Sequence, residues 1–305
     1  MLLGSIAFLY LAPFMGLKSL TYFFLLVKFY VLAQCFNLIA GYVGYVSFGH
    51  VVFFGIGSYI AAILTWKADL VGTNFYFAII IGGLVTAALA ALLGYPLLKL
   101  RGAYFAIATL ALNEVIKIVM YNVPEDYGGG AFGIPLPQIR APNTGYYGML
   151  TIAFLIMLIV YLLMVRSKYG IILKAIREDE DAAMVMGINV AKYKTMAFAL
   201  SAFFMGLAGG IDLQFSSYIY PEAAFKIDTS VQMIVMTMLG GRGTILGPLL
   251  GATILYTVGD YVWAILPFSH LVMLGMILII IVLFMGRGIL GTLEDKVPAL
   301  RGRIK

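Results

Sequence analysis

The chain has 305 residues, of which 63% are hydrophobic and 11% charged, with a net charge of +6 and a mean hydropathy of +1.01. A water-soluble domain carries about 25% charged residues, so a soluble globular protein is excluded and the chain is read as living in a lipid bilayer. The basic residues sit at the ends of apolar segments, where orientation signals lie, which argues against nucleic acid as a partner.

The polar stretches 122–147, 166–194 and 287–305 are each shorter than the roughly 50 residues of an independent domain. Residues 1–305 are therefore read as one transmembrane domain with a cytoplasmic loop at 166–194. The expected fold class is an all-α polytopic membrane protein of about 8–10 transmembrane helices, given about 20 apolar residues per crossing, with broken or re-entrant segments. In chain order the apolar segments fall near 2–15, 19–40, 48–66, 75–98, 102–121, 148–165, 195–216, 229–240, 244–262 and 268–286, the first and eighth being short. The opening LLGSIAFLYLAPF has no basic leader or cleavage site and is read as a retained first span. With that end inside, cytoplasmic ends collect Lys99, Arg101, Arg166, Lys168, Lys174, Arg177, Lys192, Lys194, Arg242 and the bases after residue 286. The other side has Lys18, Lys67, Arg140 and Lys226, and this bias orients the chain with both termini cytoplasmic.

Glycine-rich interruptions occur at 41–50, GYVGYVSFGH, and at 239–248, LGGRGTILGP. Either they stop one helix and allow a tight turn, or they mark discontinuous helices beside a transport path, where unwound backbone faces a cavity. On the second reading Ser47, Gly49, His50, Gly241, Gly243 and Thr244 are candidates for the path. Gly206 with Gly210, and Gly247 with Gly251, have the spacing that lets helix backbones approach closely.

Charges inside spans are candidates for function because each costs about 2.5–3.5 kcal/mol near the bilayer centre. Asp212 and Asp260 fall near outer ends, within reach of water, and Lys28 either snorkels or marks a misplaced span boundary. Glu114 precedes Lys117 by three positions, so the two can pair on one helix, and Asn113 adds an amide beside them. That cluster is either a neutralising structural pair or, through Asn113 and Glu114, a polar wall of the substrate path.

Enzymatic readings find little. GGGAFG at 128–133 fits a dinucleotide pattern formally but follows a helix rather than a strand, so it is read as a loop. No phosphate-binding loop appears, so ATP hydrolysis is not expected in this chain. His50 and His270 lack a second ligand at metal spacing, Cys35 stands alone in an apolar run, and no nucleophile is paired with a base. No cofactor or metal is expected in the chain.

Between two apolar stretches lies GIILKAIREDEDAAMVMG at 170–187, read as one charge-dense helix. Glu178, Asp179, Glu180 and Asp181 form an acidic turn after Arg177, and Gly187 with Asn189 supplies a stop. Ala182, Val185 and Met186 make an apolar stripe with no core of their own to cover them, for which a groove on another protein is the natural receiver.

RSKYGIILKAIREDEDAAMVMGINVAKYK, with GYVGYVSFGHVVFFGIGSY, LRGAYFAIATLALNEVIK and LGGRGTILGPLLGA, resembles the permease subunits of ABC importers for branched-chain amino acids over about residues 30–290. Asp181, Ala182, Ala183 and Gly187 match that family's coupling motif, with Asp181 where many importers carry Glu. The resemblance implies coupling to an ATPase through Arg177, Glu178, Asp179, Asp181, Ala182, Ala183, Met186 and Gly187. It implies a second homologous permease subunit, two cytoplasmic ATP-binding subunits that hold ATP and Mg, an extracytoplasmic solute-binding protein, and residence in the inner membrane of a bacterium or archaeon. Leucine, isoleucine or valine is the implied solute, with urea or a short amide as the alternative within the family. An ion-coupled secondary transporter using Glu114 and Lys117 is the alternative from another class.

Overall fold

The computed structural model describes residues 19–68, 74–136 and 142–265, isolated positions between 272 and 279, and a turn at 288–291. The expected first span at 2–15, His270 and most of the expected last span lie outside the described residues. Ser19 caps α1, Leu20–Asn37, which widens into a π-helical turn, Leu38–Val43, and stops at Gly44 in left-handed backbone with φ 91°. There follow α2, Val51–Ala68, α3, Phe75–Leu97, and α4, Ala103–Asn122. Next come α5, Pro142–Val160, with a π-helical end at Tyr161–Val165, α6, Lys168–Glu178, and α7, Glu180–Val185. The set closes with α8, Val190–Ser216, α9, Ile227–Gly240, and α10, Gly247–Ile265. Among the described residues, six stretches are long and apolar enough to cross a membrane: Leu20–Val43, Val51–Ala68, Phe75–Leu97, Ala103–Asn122, Thr144–Val165 and Val190–Ser216. The protein is an all-α polytopic membrane protein.

A helix apolar all round belongs in the interior of a bundle, and α1 occupies that place: 83% of its apolar window is buried, against 17% for α4 at the periphery. Around α1 stand α5, α8, α9 and α10, while α8 also packs along α2 and α3. Small residues set how closely these helices approach. A Cβ at Gly57 of α2 would run into the backbone of Gly206 of α8, and one at Gly206 would press on Gly83 and Thr86 of α3. Gly251 of α10 backs onto the Met236 carbonyl of α9 in the same way. The packing roles expected for Gly206 and Gly251 are those observed.

At the end opposite α6 and α7, a two-residue ribbon pairs β1, Ile134–Pro135, with β2, Tyr218–Ile219, antiparallel. The GGGAFG stretch leads into it as a loop with positive φ at Gly129, Gly130 and Gly133, as expected. Two charges that the sequence left without a named partner meet across the bundle: Lys28 Nζ of α1 lies 2.8 Å from Asp212 Oδ1 of α8, because an apolar setting favours two opposite charges that neutralise each other over two that stay separate. Glu114 and Lys117 do pair on α4, at 2.9 Å.

Where two backbones touch, neither can move aside for a side chain, so Gly57→Leu should cost about 3 kcal/mol or more and lower the unfolding temperature in detergent. Gly259→Leu, whose added atoms would meet nothing within 4 Å, should leave that temperature unchanged or raise it. Equal tolerance of the two would contradict the close approach.

Candidate coupling surface

The segment expected as one helix at 170–187 is two helices meeting at an angle. Leu173 and Ile176 bury one face of α6, and Gly170 lies against the Met164 carbonyl. Asp179 then turns extended, with φ −157° and ψ 112°, and its Oδ1 accepts from the amides of Asp181 at 2.9 Å and Ala182 at 3.0 Å. A carboxylate at this place satisfies amides that the first turn of α7 cannot pair internally. Asp179 is thus both the break and the cap.

The end of α7 is closed by a Schellman arrangement, with Ile188 N donating to Ala183 O at 3.1 Å and Gly187 N to Met184 O at 2.9 Å. Gly187 has φ +81°, a conformation open to glycine but strained for other residues. Ala183 is buried under the helix, while Ala182, Met184, Val185 and Met186 face outward, Val185 88% and Met186 81% exposed.

Charges hold α7 against the membrane body. Lys194 of α8 is buried, and its ammonium donates to Glu180 Oε1 at 3.0 Å, Glu180 Oε2 at 3.2 Å, Tyr45 Oη at 2.9 Å and the Leu98 carbonyl at 2.7 Å. Tyr45 in turn donates to Glu180 Oε1 at 2.7 Å. Arg101, just before α4, grips Asp181 with both terminal nitrogens, at 2.7 and 3.1 Å. That fork raises the Arg101 pKa and lowers that of Asp181, mainly through the hydrogen bonds and then through charge. Burial, followed by the bond to Glu180, raises the Tyr45 phenol.

Beneath α6 the two glycine-rich breaks meet. Arg177 Nη1 donates to Gly41 O at 2.6 Å, tying α6 to the end of α1. Asn37 donates to Thr244 O at 2.8 Å and accepts from Gly243 N at 2.8 Å. A Cβ on Gly41 would collide with Gly243 N. Thr244 Oγ1 donates to Gly241 O and accepts from Gly247 N, starting α10. Glu178 stays at the surface beside Arg177, at 3.5 Å.

The remaining path candidates do not share one open wall. His50 is buried between Phe36, Phe53 and Phe198, its Nε2 2.7 Å from Ser201 Oγ. Ser47 is buried, and Gly49 sits directly against the Thr109 carbonyl of α4. Asn113 donates to the Phe225 carbonyl at 3.0 Å, fastening α4 to the loop before α9. Glu114 is occupied by Lys117.

Reading the sequence placed Asp181 and Gly187 on the surface but passed over the anchors Glu180, Lys194, Tyr45, Arg101 and Asn37. A hint was present for Lys194: it falls early in an apolar helix, where a charge needs a partner.

The chain matches the family model described as branched-chain amino acid transport system / permease component over residues 18–282. It is 28% identical to the high-affinity branched-chain amino acid transport system permease protein LivM of Escherichia coli, over 96% of this chain and 75% of that protein. The LivM protein of Salmonella typhimurium is 28% identical over 90% of this chain and 70% of its own length. The probable branched-chain amino acid transport permease protein LivH of Methanocaldococcus jannaschii is 29% identical over 66% of each chain. No solved structure matches significantly.

Removing one member of a buried ion pair costs roughly 3–5 kcal/mol because the other is stranded. Glu180→Ala should therefore expose the 166–194 loop to proteolysis, and Glu180→Ala with Lys194→Met should restore some of the protection. The Arg101–Asp181 fork responds to pH. With the Asp181 pKa depressed, its contribution is present above the ordinary aspartate range and lost as pH falls through about 4 and below. Amide exchange in α7 should rise there, and Asp181→Asn should flatten that rise.

Proposed function

The chain belongs to the permease-component family of branched-chain amino acid transport systems, and from that membership we propose that it is the translocating subunit of an ATP-driven importer of leucine, isoleucine or valine in the inner membrane of a bacterium or archaeon. The observation that carries the reading is α7: a short helix braced by charges on its inner side presents Met184, Val185 and Met186 to solvent. Flexible methionines beside an aliphatic residue suit a groove on a partner. On this reading an ATP-binding subunit receives that tip, holds ATP and Mg, and does the hydrolysis, while this chain supplies no catalytic group. A second permease subunit related to this one stands beside it, and LivM and LivH among the relatives support such a pair. A solute-binding protein delivers the amino acid on the other face. The positive-inside bias supports a cytoplasmic position for α6, α7 and both termini.

The reading is tested in proteoliposomes holding this chain, its sister permease and the ATPases, supplied with the binding protein. Gly187→Trp forces a side chain onto left-handed backbone and disturbs the tip. ATP hydrolysis should continue while leucine uptake falls at least about tenfold; normal uptake by the variant would sink the docking claim. Glu114 and Lys117 neutralise each other on α4, so uptake should also survive collapse of proton and sodium gradients when ATP is supplied. Uptake that dies with either gradient would identify an ion-coupled transporter instead.

A further inference from the structure

Between α1, α2, α8 and the start of α9, below the β1–β2 ribbon, lies a cavity of about 170 Å³. Its volume is far above the roughly 10–15 Å³ that admits one water. Its lining combines the polar Lys28, Asp212 and Thr229 with the apolar Val51, Phe54 and Ile219. The ion pair Lys28–Asp212 stands in this wall at 2.8 Å, each side chain partly open, 17% and 18% exposed. Lys28 Nζ also lies 5.1 Å from the centre of the Phe54 ring.

We propose that this cavity binds one zwitterionic amino acid, whose α-carboxylate takes Lys28 and whose α-ammonium takes Asp212 while the aliphatic side chain lies against Val51, Phe54 and Ile219. The proposal rests on the transport reading above and assigns its substrate class to particular residues. An ammonium has three donors and a carboxylate accepts at about four positions, so the single contact between the two heads leaves each able to take another partner. A zwitterion entering between them exchanges one ion pair for two, and no charge is left unpaired in an apolar setting. A solute with only one charged group strands either Lys28 or Asp212, and a neutral solute strands both if it separates them. The Phe54 ring offers Lys28 a second, weaker attraction while the carboxylate is displaced. The cavity lies beside the β1–β2 ribbon, toward the end away from α7, and the pair joins α1 to α8, the most buried of the six membrane-length helices. Loading the cavity would replace one of the links between α1 and α8, while the Ser201–Cys35 hydrogen bond between the same helices stays in place.

The test uses the complete complex of both permeases and the ATPases in nanodiscs without binding protein, read by saturation-transfer NMR, which detects weak binding. Leucine should bind, while isocaproate, which lacks the ammonium, and isoamylamine, which lacks the carboxylate, should each bind at least about tenfold more weakly. In Asp212→Asn the preference for leucine over isocaproate should vanish, and in Lys28→Met the preference over isoamylamine should vanish. Ala223→Phe touches neither charge but fills the cavity from its rim, and it should weaken leucine binding with assembly intact, which keeps the test decisive should the charge variants fail to assemble. No leucine binding to the unaltered complex, or binding untouched by Ala223→Phe, overturns the proposal. If that same complex still imports leucine with the binding protein present, the transport function stands and only the cavity assignment falls; if it imports no amino acid, the transport reading falls as well.

Discussion

The ammonium of Lys194 is buried at the base of α8, and the position of α7, the candidate coupling surface, follows from its need for a counter-charge. Glu180 supplies that charge with both oxygens, Tyr45 and the Leu98 carbonyl complete its shell, and α7 is thereby drawn onto the membrane body. A helix continuing straight from α6 could not place Glu180 there. The chain therefore turns at Asp179, whose side chain replaces the lost helical bonds. Arg101 grips the next residue, Asp181, and the two clamps fix α7 in rotation, leaving the Met184–Met186 edge outward.

The same end of the molecule solves a second problem, that of unwound backbone in a membrane protein, where each unpaired polar group is costly. The π-helical end of α1 and the break at 241–244 leave carbonyls and amides without helical partners. Asn37, Arg177 and Thr244 take up several of them, and Ser201 and Thr237 donate to the Cys35 and Ala33 carbonyls one turn earlier. Arg177 of α6 bonds to Gly41 and lies beside Gly243, so α6 is in direct contact with both breaks. Any partner that moves α6 and α7 acts on the two discontinuities of the bundle together.

The helices were legible in the sequence because a bilayer demands long apolar runs, and α2, α3, α4, α8 and α9 begin or end within a few residues of the expected spans. The breaks were legible through their glycines, and Gly187 through its place after an apolar stripe. What stayed hidden was pairing across the bundle. Lys28 and Asp212 looked like separate charges with separate excuses, and Glu180 looked like one of four interchangeable acids. Periodicity says which face a residue occupies but not which distant helix meets that face. The kink at Asp179 was hidden for the same reason, since Lys194 of α8 and Arg101 before α4, which hold the turned α7 in place, are distant in the sequence.

Glu180, Asp181, Lys194 and Arg101 lock α7 to α4 and α8, so the three helices move as one body. Spin labels on exposed Met184 of α7 and exposed Ile107 of α4 report this directly through electron–electron distance measurements on the reconstituted complex, with and without ATP and Mg. The account predicts one narrow distance that is the same in both states. A distance that shifts or broadens when ATP binds would show that α7 moves independently of the membrane body and would contradict it.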